Sequence, residues 1–381
     1  MISILVNRKR GSSLKRLVKS MVAFGSIVCM LCFSGCGSQT TGSSQQAVNN
    51  SMSGTSQTAE KTIVDMSGKS VKIPSKVNRI VVTCYGGASN EVVVLGAADK
   101  IVGQPSQENF RQLLKFEPQF KKIPDCGSFD NISVEEIIKL KPDVVVASVT
   151  SPKGNKKLED AGIPVVTVLT GRATIDGLHK EFKMMGEVLD KESDANALLG
   201  FWDNGLKLLK DDTAKLPADK KKVYYMLGTP LQTDGTAWGE DLITTVGGVN
   251  VSKGLGNANQ ISVEQLLSWN PDSIIMSSNI GPTKNHFIMA DDLRNNPQMS
   301  NINAVKNNQL YECPIGAFWW DRPSPESILG MMWLAKSLYP DTFANINLEQ
   351  ETKDFFQKFY HYSLTSEEYN SFLNPQTAAN K

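Results

Sequence analysis

With 381 residues, 40% of them apolar and 21% charged, the chain is long enough for two cores and too evenly mixed to be a disordered or fibrous polymer. The formal net charge of +1 hides an asymmetry: six basic residues and no acid fall in the first 35 positions, so the rest carries 34 basic against 39 acidic residues. That deficit excludes nucleic acid as the expected partner.

Arg8, Lys9, Arg10, Lys15, Arg16 and Lys19 precede an apolar run at residues 21–33, too short to span a bilayer comfortably, and Ser34 and Gly35 precede Cys36. This is the layout of a lipoprotein signal over residues 1–35. The sequence from Phe33 to Cys36 resembles a lipobox, with Phe where Leu is commoner, and Cys36 is the expected lipidation site; an ordinary secretory cleavage is the alternative. Residues 36–60, rich in Ser, Thr, Gly, Gln and Asn, hold almost nothing apolar and are expected to form a disordered tether. No later stretch is apolar enough to span. The globular part is thereby placed outside the cytoplasm, at the membrane through its anchor only.

Beyond the tether, β-branched apolar runs alternate with helical patterns, an α/β signature. Strands are predicted at residues 79–83, 143–148, 164–168, 222–227, 272–277 and 309–312, and their continuous apolar character suits sheets covered on both faces. One phrase occurs twice. ISVEEIIKLKPDVVVAS at 132–148 returns as ISVEQLLSWNPDSIIMSS at 261–278. In each copy a Ser (Ser133, Ser262) stands at a helix N-cap with Glu136 or Gln265 three residues on, a capping box. The helix ends before Pro142 or Pro271, Asp143 or Asp272 opens a turn, and a strand follows. A fainter echo, VVVLGAADKIVG at 92–103 against TTVGGVNVSKG at 244–254, precedes each copy. Two similar α/β lobes, at residues 61–174 and 213–381, are the simplest account.

Between them, residues 175–212 repeat apolar positions at spacings of three and four, which predicts one amphipathic strut of roughly 35 residues and about 50 Å. The spacing skips at residues 191–194, where a break into two helices would fall.

The leader, the tether, GKSVKIPSKVNRIVV, LGAADKIVG, ISVEEIIKLKPDVVV, the strut and the second lobe together resemble the solute-binding proteins of ABC importers for iron–siderophore complexes, haem and corrinoids, over about residues 60–375. The stretch FWWDRPSPESILGMMWLAKSLYPD looks like a subgroup of iron-complex binders. The resemblance implies two Rossmann-like α/β lobes joined by one long α-helix, with the ligand in the cleft between them and no cofactor. It also implies an ABC importer permease dimer with its ATPase as partner. In that family one Glu per lobe docks on arginines of the permease, and the matching positions are Glu135 and Glu264. A capping box would occupy Glu136 and Gln265 and leave the preceding Glu pointing outward; attraction to the helix dipole also accounts for an acid there.

Open α/β lobes bind ligands beyond the carboxyl ends of their strands. The loops there offer Tyr85, Ser128, Phe129, Arg172, Trp238 and Asn279, then Trp319, Trp320 and Arg322 in the run FWWDR. Flat aromatics beside a guanidinium suit a metal chelate with carboxylate or hydroxamate oxygens, an iron–siderophore complex first and haem or a corrinoid otherwise. A small oxyanion such as molybdate is the alternative, with Arg172 and Arg322 as counter-charges. A bare metal ion is disfavoured, because His179, His286 and His361 are scattered. Cys84, Cys126 and Cys313 are expected to be buried small residues or to include a Cys84–Cys126 disulfide. An extracellular enzyme is the remote reading: no nucleophile elbow, HExxH or phosphate loop is present.

Overall fold

The computed structural model describes residues 59–277 and 290–374. The leader, Cys36 and the tether up to residue 58 lie outside them, as do Asn279 and His286.

The described chain begins with an antiparallel hairpin, β1 (Glu60–Val64) and β2 (Ser70–Pro74), that the sequence did not suggest. Asp65 builds its turn. One carboxylate oxygen accepts the backbone N–H groups of Ser67 and Lys69 at 3.0 and 2.9 Å, and the other accepts the N–H and hydroxyl of Thr167 at 3.1 and 2.7 Å. A single buried carboxylate thus closes the turn and ties the hairpin to the first sheet.

That sheet is wholly parallel. In chain order it comprises β3 (Ile80–Val82), α1 (Ala88–Val94), β4 (Ile101–Gly103), α2 (Arg111–Phe116), the small hairpin β5 (Gly127–Ser128) and β6 (Asn131–Ile132), α3 (Val134–Leu140), β7 (Val144–Ser148), α4 (Pro152–Asp160) and β8 (Val165–Val168). The strands lie in the order β4-β3-β7-β8. Every residue of β3, β7 and β8 is buried, as apolar strands with helices on both faces must be.

Two helices follow in place of the predicted single strut. α5 (Ile175–Leu189) stops where Asp190 adopts a left-handed φ of 56°, and α6 (Glu192–Thr213) returns along it. His179 and Phe182 of α5 pack edge-on against Trp202 of α6, with centroids 5.6 and 5.8 Å apart. Nearer the turn, a Cβ on Gly186 would come within 2.7 Å of the Ala195 methyl, so glycine permits the close crossing. The skip in apolar spacing at residues 191–194 therefore marks a helical hairpin. α6 alone, at about 33 Å, reaches the second lobe, where Gly205 meets Ile328 and Met332, and the Trp202 indole N–H donates to Pro325 O at 3.0 Å.

The second lobe runs through β9 (Lys222–Leu227), β10 (Gln232–Gly235), α7 (Ala237–Thr245), β11 (Val249–Asn250), β12 (Gly256–Gln260), α8 (Val263–Trp269), β13 (Ser273–Ser277), α9 (Ala290–Arg294), α10 (Asn303–Lys306) and β14 (Leu310–Glu312), then α11 (Ser327–Leu338), α12 (Leu348–Phe359) and α13 (Ser366–Leu373). Its parallel strands β11-β9-β13-β14 repeat the order of the first lobe, and antiparallel β10 and β12 extend the sheet beside β9. All six predicted strands are present. One buried apolar cluster continues from Val82 and Phe182 through Trp202 to Ile328 and Phe355, joining both lobes to the hairpin between them.

The repeated phrase makes the same unit twice. α3 and α8 both end on a left-handed residue, Lys141 at φ 47° and Asn270 at φ 43°. The Asp of each Pro-Asp pair then stitches its strand to the neighbour. Asp143 Oδ2 accepts the N–H groups of Asn78 and Arg79 at 2.7 and 2.9 Å, and Asp272 Oδ2 accepts that of Lys222 at 2.9 Å. The capping differs from expectation. Ser262 accepts the Gln265 N–H at 3.1 Å, but Ser133 makes no side-chain cap, and Glu136 pairs with Lys139 at 3.4 Å. Glu135 and Glu264 are both exposed.

Candidate ligand site between the lobes

Parallel strands deliver their carboxyl ends to one edge of each sheet, and the connecting loops there meet between the lobes. From the first lobe come the loop after β3, with Tyr85, Gly86 and Gly87, and the loop after β8, with Thr170 and Arg172. From the second come Ser277 at the end of β13 and the long segment after β14. The lobes come close together at Gly87, where φ is +87° and a Cβ would lie 2.8 Å from Ser324 Cβ and 3.0 Å from Pro323 O. Only glycine combines that dihedral with that contact. Beside it, Phe110 sits 5.0 Å from both Phe318 and Trp319, centroid to centroid, an aromatic seam drawn from both lobes.

The predicted ligand residues divide along this seam. Tyr85 is half-buried, with its hydroxyl donating to Ser106 O at 3.3 Å. Ser128 and Phe129 are half-exposed, and the Phe129 N–H donates to Thr83 O at 2.7 Å, which sets the β5–β6 hairpin beside the end of β3. Arg172 is exposed. Trp319 is half-exposed, yet its Nε1–H is buried without a partner among the described residues, and so is the Ser324 hydroxyl.

Trp238 and Trp320 do not belong to the site. Trp238 is 3% exposed on α7 and donates to Asp321 O at 2.8 Å. Trp320 is 0% exposed, packs on Phe372 and donates to Glu326 Oε2 at 2.9 Å. Both indoles spend their one donor inside the second lobe, so neither offers a face to a ligand. Arg322 is not a free counter-charge either. Its guanidinium lies 3.5 Å from Asp234, 3.7 Å from Asp321 and 3.2 Å from the Ser277 hydroxyl, with a side chain 17% exposed. Burial alone would lower its pKa, but Tyr225, Asp321 and Asp234 around it more than reverse this and keep it charged. It braces the end of β13 against β10.

Sequence reasoning missed the network beneath the seam. Glu326, fully buried, accepts from Tyr360 at 2.6 Å through Oε1, and from Trp320 at 2.9 Å and the Ala317 N–H at 3.1 Å through Oε2. Asn90, on α1 of the first lobe, donates to Tyr360 at 3.2 Å and to Ala317 O at 3.3 Å. Gly316 and Gly330 leave room for it, because a Cβ on either would strike Glu326 Oε2 or Trp320 O. One carboxyl thus holds the segment that carries Trp319 and links it to the opposite lobe. The Gly-rich loop after β3 was a visible signal for the seam; a Glu inside SPESILG carried none.

Cys84, Cys126 and Cys313 are all buried. Cys84 and Cys126 belong to different core clusters, and no disulfide joins them. Burial pushes the Cys84 thiol up to about 12 and that of Cys126 to about 11, so both stay neutral thiols packed in the core. Among the described residues no group of three His, Cys, Asp or Glu side chains is placed to hold a metal ion, and no helix is long and apolar enough to cross a membrane.

Comparison with known proteins agrees with this architecture. The periplasmic binding protein family matches residues 81–315, more than half of the chain. A periplasmic solute-binding protein from Veillonella parvula is 31% identical, with a TM-score of 0.71 over 85% of this chain and 99% of that one. The molybdate-binding protein of Haemophilus influenzae is 29% identical over 80% of this chain and 92% of its own length. Its molybdate-bound structure superimposes with a TM-score of 0.69 at 27% identity, covering 80% of this chain and 99% of that one. The Fe(3+)-citrate-binding protein of Bacillus subtilis is 25% identical over 77% and 89% of the two chains. The chain therefore belongs to the periplasmic binding protein family, as a solute-binding protein of ABC transporters.

Proposed function

We propose that the protein captures a compact, oxygen-rich anion of the molybdate class between its lobes and hands it to an ABC importer, while Cys36 anchors it by lipid to the outer face of the membrane. The observation that carries the ligand class is the Trp319 indole N–H. It can donate but not accept, and it is buried at the seam without a partner among the described residues. Leaving such a donor unmet costs about 1–3 kcal/mol, a cost that an oxyanion oxygen relieves. The Ser324 hydroxyl, equally unmet, belongs to the residue that faces Gly87 across the lobes. Arg172, exposed and without an ion pair among the described residues, supplies a cation on the loop after β8.

A large metal chelate, the iron–siderophore complex that the sequence favoured, loses two of the three tryptophans counted toward it, while the pairing of Arg322 removes one counter-charge from either ligand class. A compact chelate such as ferric citrate is the second reading, favoured by the half-exposed aromatic faces of Tyr85 and Phe129. For docking, the exposed Glu135 and Glu264 stand in the first turns of α3 and α8, one per lobe, and we assign them to the permease.

Calorimetry with molybdate, tungstate, ferric citrate and a ferric hydroxamate siderophore tests the ligand class. Saturable heat with the oxyanions is expected, weakened about tenfold in Trp319→Phe, which keeps the ring and removes the donor. Tight siderophore binding with no oxyanion heat would overturn the proposal.

A further inference from the structure

The large apolar side chains exposed among the described residues are Val64, Ile138, Val249, Leu255 and Leu267. Scattered singly, such residues need no explanation. Two of these five are not scattered. Ile138 is the seventh residue of the phrase that begins at Ile132, and Leu267 is the seventh residue of the copy that begins at Ile261. They are 48% and 38% exposed. Their neighbours Ile137 and Leu266 are buried at 0% and 1%, so each helix already has its inward anchor and the next aliphatic is surplus to the core.

Each exposed aliphatic stands three residues after an exposed acid, Glu135 before Ile138 and Glu264 before Leu267, a spacing that puts both on one face of the helix. Both helices precede the equivalent strand of equivalently ordered sheets. The molecule therefore carries the same small patch twice, an acid at the helix start and an aliphatic one turn on, once in each lobe. A patch repeated by internal duplication fits a partner that is itself built of two similar halves.

We propose that Ile138 and Leu267 are the apolar anchors of the transporter interface, each entering an apolar recess beside a basic side chain on one half of the permease dimer. The inference rests on the assignment of Glu135 and Glu264 to docking and extends it. Exposed charge pairs add little affinity by themselves and chiefly steer encounter. A buried aliphatic at the centre of each contact supplies the desolvated area that slows dissociation. The polar substitution removes that area without touching the acid.

The test uses the full-length protein and its transporter in lipid nanodiscs, with Ile138→Ser, Leu267→Ser, their double variant, Val64→Ser as an exposed control outside the phrase, and the reversals Glu135→Arg and Glu264→Arg. Melting temperature and ligand affinity are measured alongside. Each serine variant is expected to weaken transporter binding about five- to tenfold, mainly through faster dissociation, and the double variant more than either. Val64→Ser is expected to bind as the unaltered protein does. If the double serine variant, stably folded, binds the transporter with full affinity while the reversals abolish binding, the anchor is refuted and the acidic docking stands. If the reversals also leave binding intact, the docking assignment fails and takes the anchor with it.

Discussion

Replacing Glu326 by Gln separates two consequences of burying one carboxyl. Burial raises the pKa of Glu326 to about 7, even though Tyr360, Trp320 and the backbone of Ala317 and Phe318 all donate to it and pull the other way. A carboxyl that titrates near 7 in the native state and near 4.5 when unfolded takes up a proton on folding. Its contribution to stability is fully present below about pH 4.5 and lost as pH rises to about 7, for a total of about 3 kcal/mol. Gln has no such titration, but its amide nitrogen cannot accept. With its oxygen serving Trp320 and Ala317, it turns a donor toward Tyr360, whose O–H loses its acceptor at about 1–2 kcal/mol. At pH 4.5 Glu326→Gln is therefore expected to be the less stable protein by about 1–2 kcal/mol, and at pH 8 the more stable by a similar amount. Urea melts of the two proteins across that range measure the difference directly. Glu181, pushed up to about 7 by burial, acts with the same sign, but it is present in both proteins and cancels. A stability gap that widens as pH rises would mean that these four donors hold Glu326 ionised, and the reasoning would be refuted.

Gly87→Ala is expected to lower ligand affinity at least tenfold, because the added methyl needs φ +87° and falls within 2.8 Å of Ser324; unchanged affinity would show that the lobes do not meet there in solution. Glu135→Arg and Glu264→Arg should each cut uptake well beyond tenfold with ligand affinity intact, since reversal sets like charges against the permease; normal uptake by a stably folded double reversal would remove both residues from docking. Cys36→Ala should abolish palmitate labelling and release or strand the protein, and continued labelling of that variant would place the anchor elsewhere.

The duplicated phrase was the most legible feature of the chain. A capping Ser, a Pro-Asp stop and an apolar run are local signals, and local bonds made by Asp143 and Asp272 realise them in both lobes. The hairpin β1–β2 was illegible because its anchor, Thr167, lies about a hundred residues from Asp65. The strut failed for a related reason. Heptad-like spacing marks which face is buried, but whether a helix continues or folds back depended on Asp190 entering the left-handed region and on Gly186 meeting Ala195.

At the site, composition showed which loops carry aromatics but not which way each ring turns. Trp319 and Trp320 are adjacent in sequence, yet one meets Phe110 at the seam and the other meets Phe372 inside the lobe. Alternation along an irregular segment has no fixed period to read. Arg322 illustrates the same gap, since Asp234 and Ser277, the groups that engage it, come from two other strands.

The measurement closest to the central claim is elemental analysis, with native mass spectrometry, of protein purified from its own host without added ligand. Molybdenum or tungsten in roughly stoichiometric amount, reduced in Trp319→Phe and Gly87→Ala, is the predicted result. Bound iron, with the mass of an organic chelator and no oxyanion metal, would contradict it.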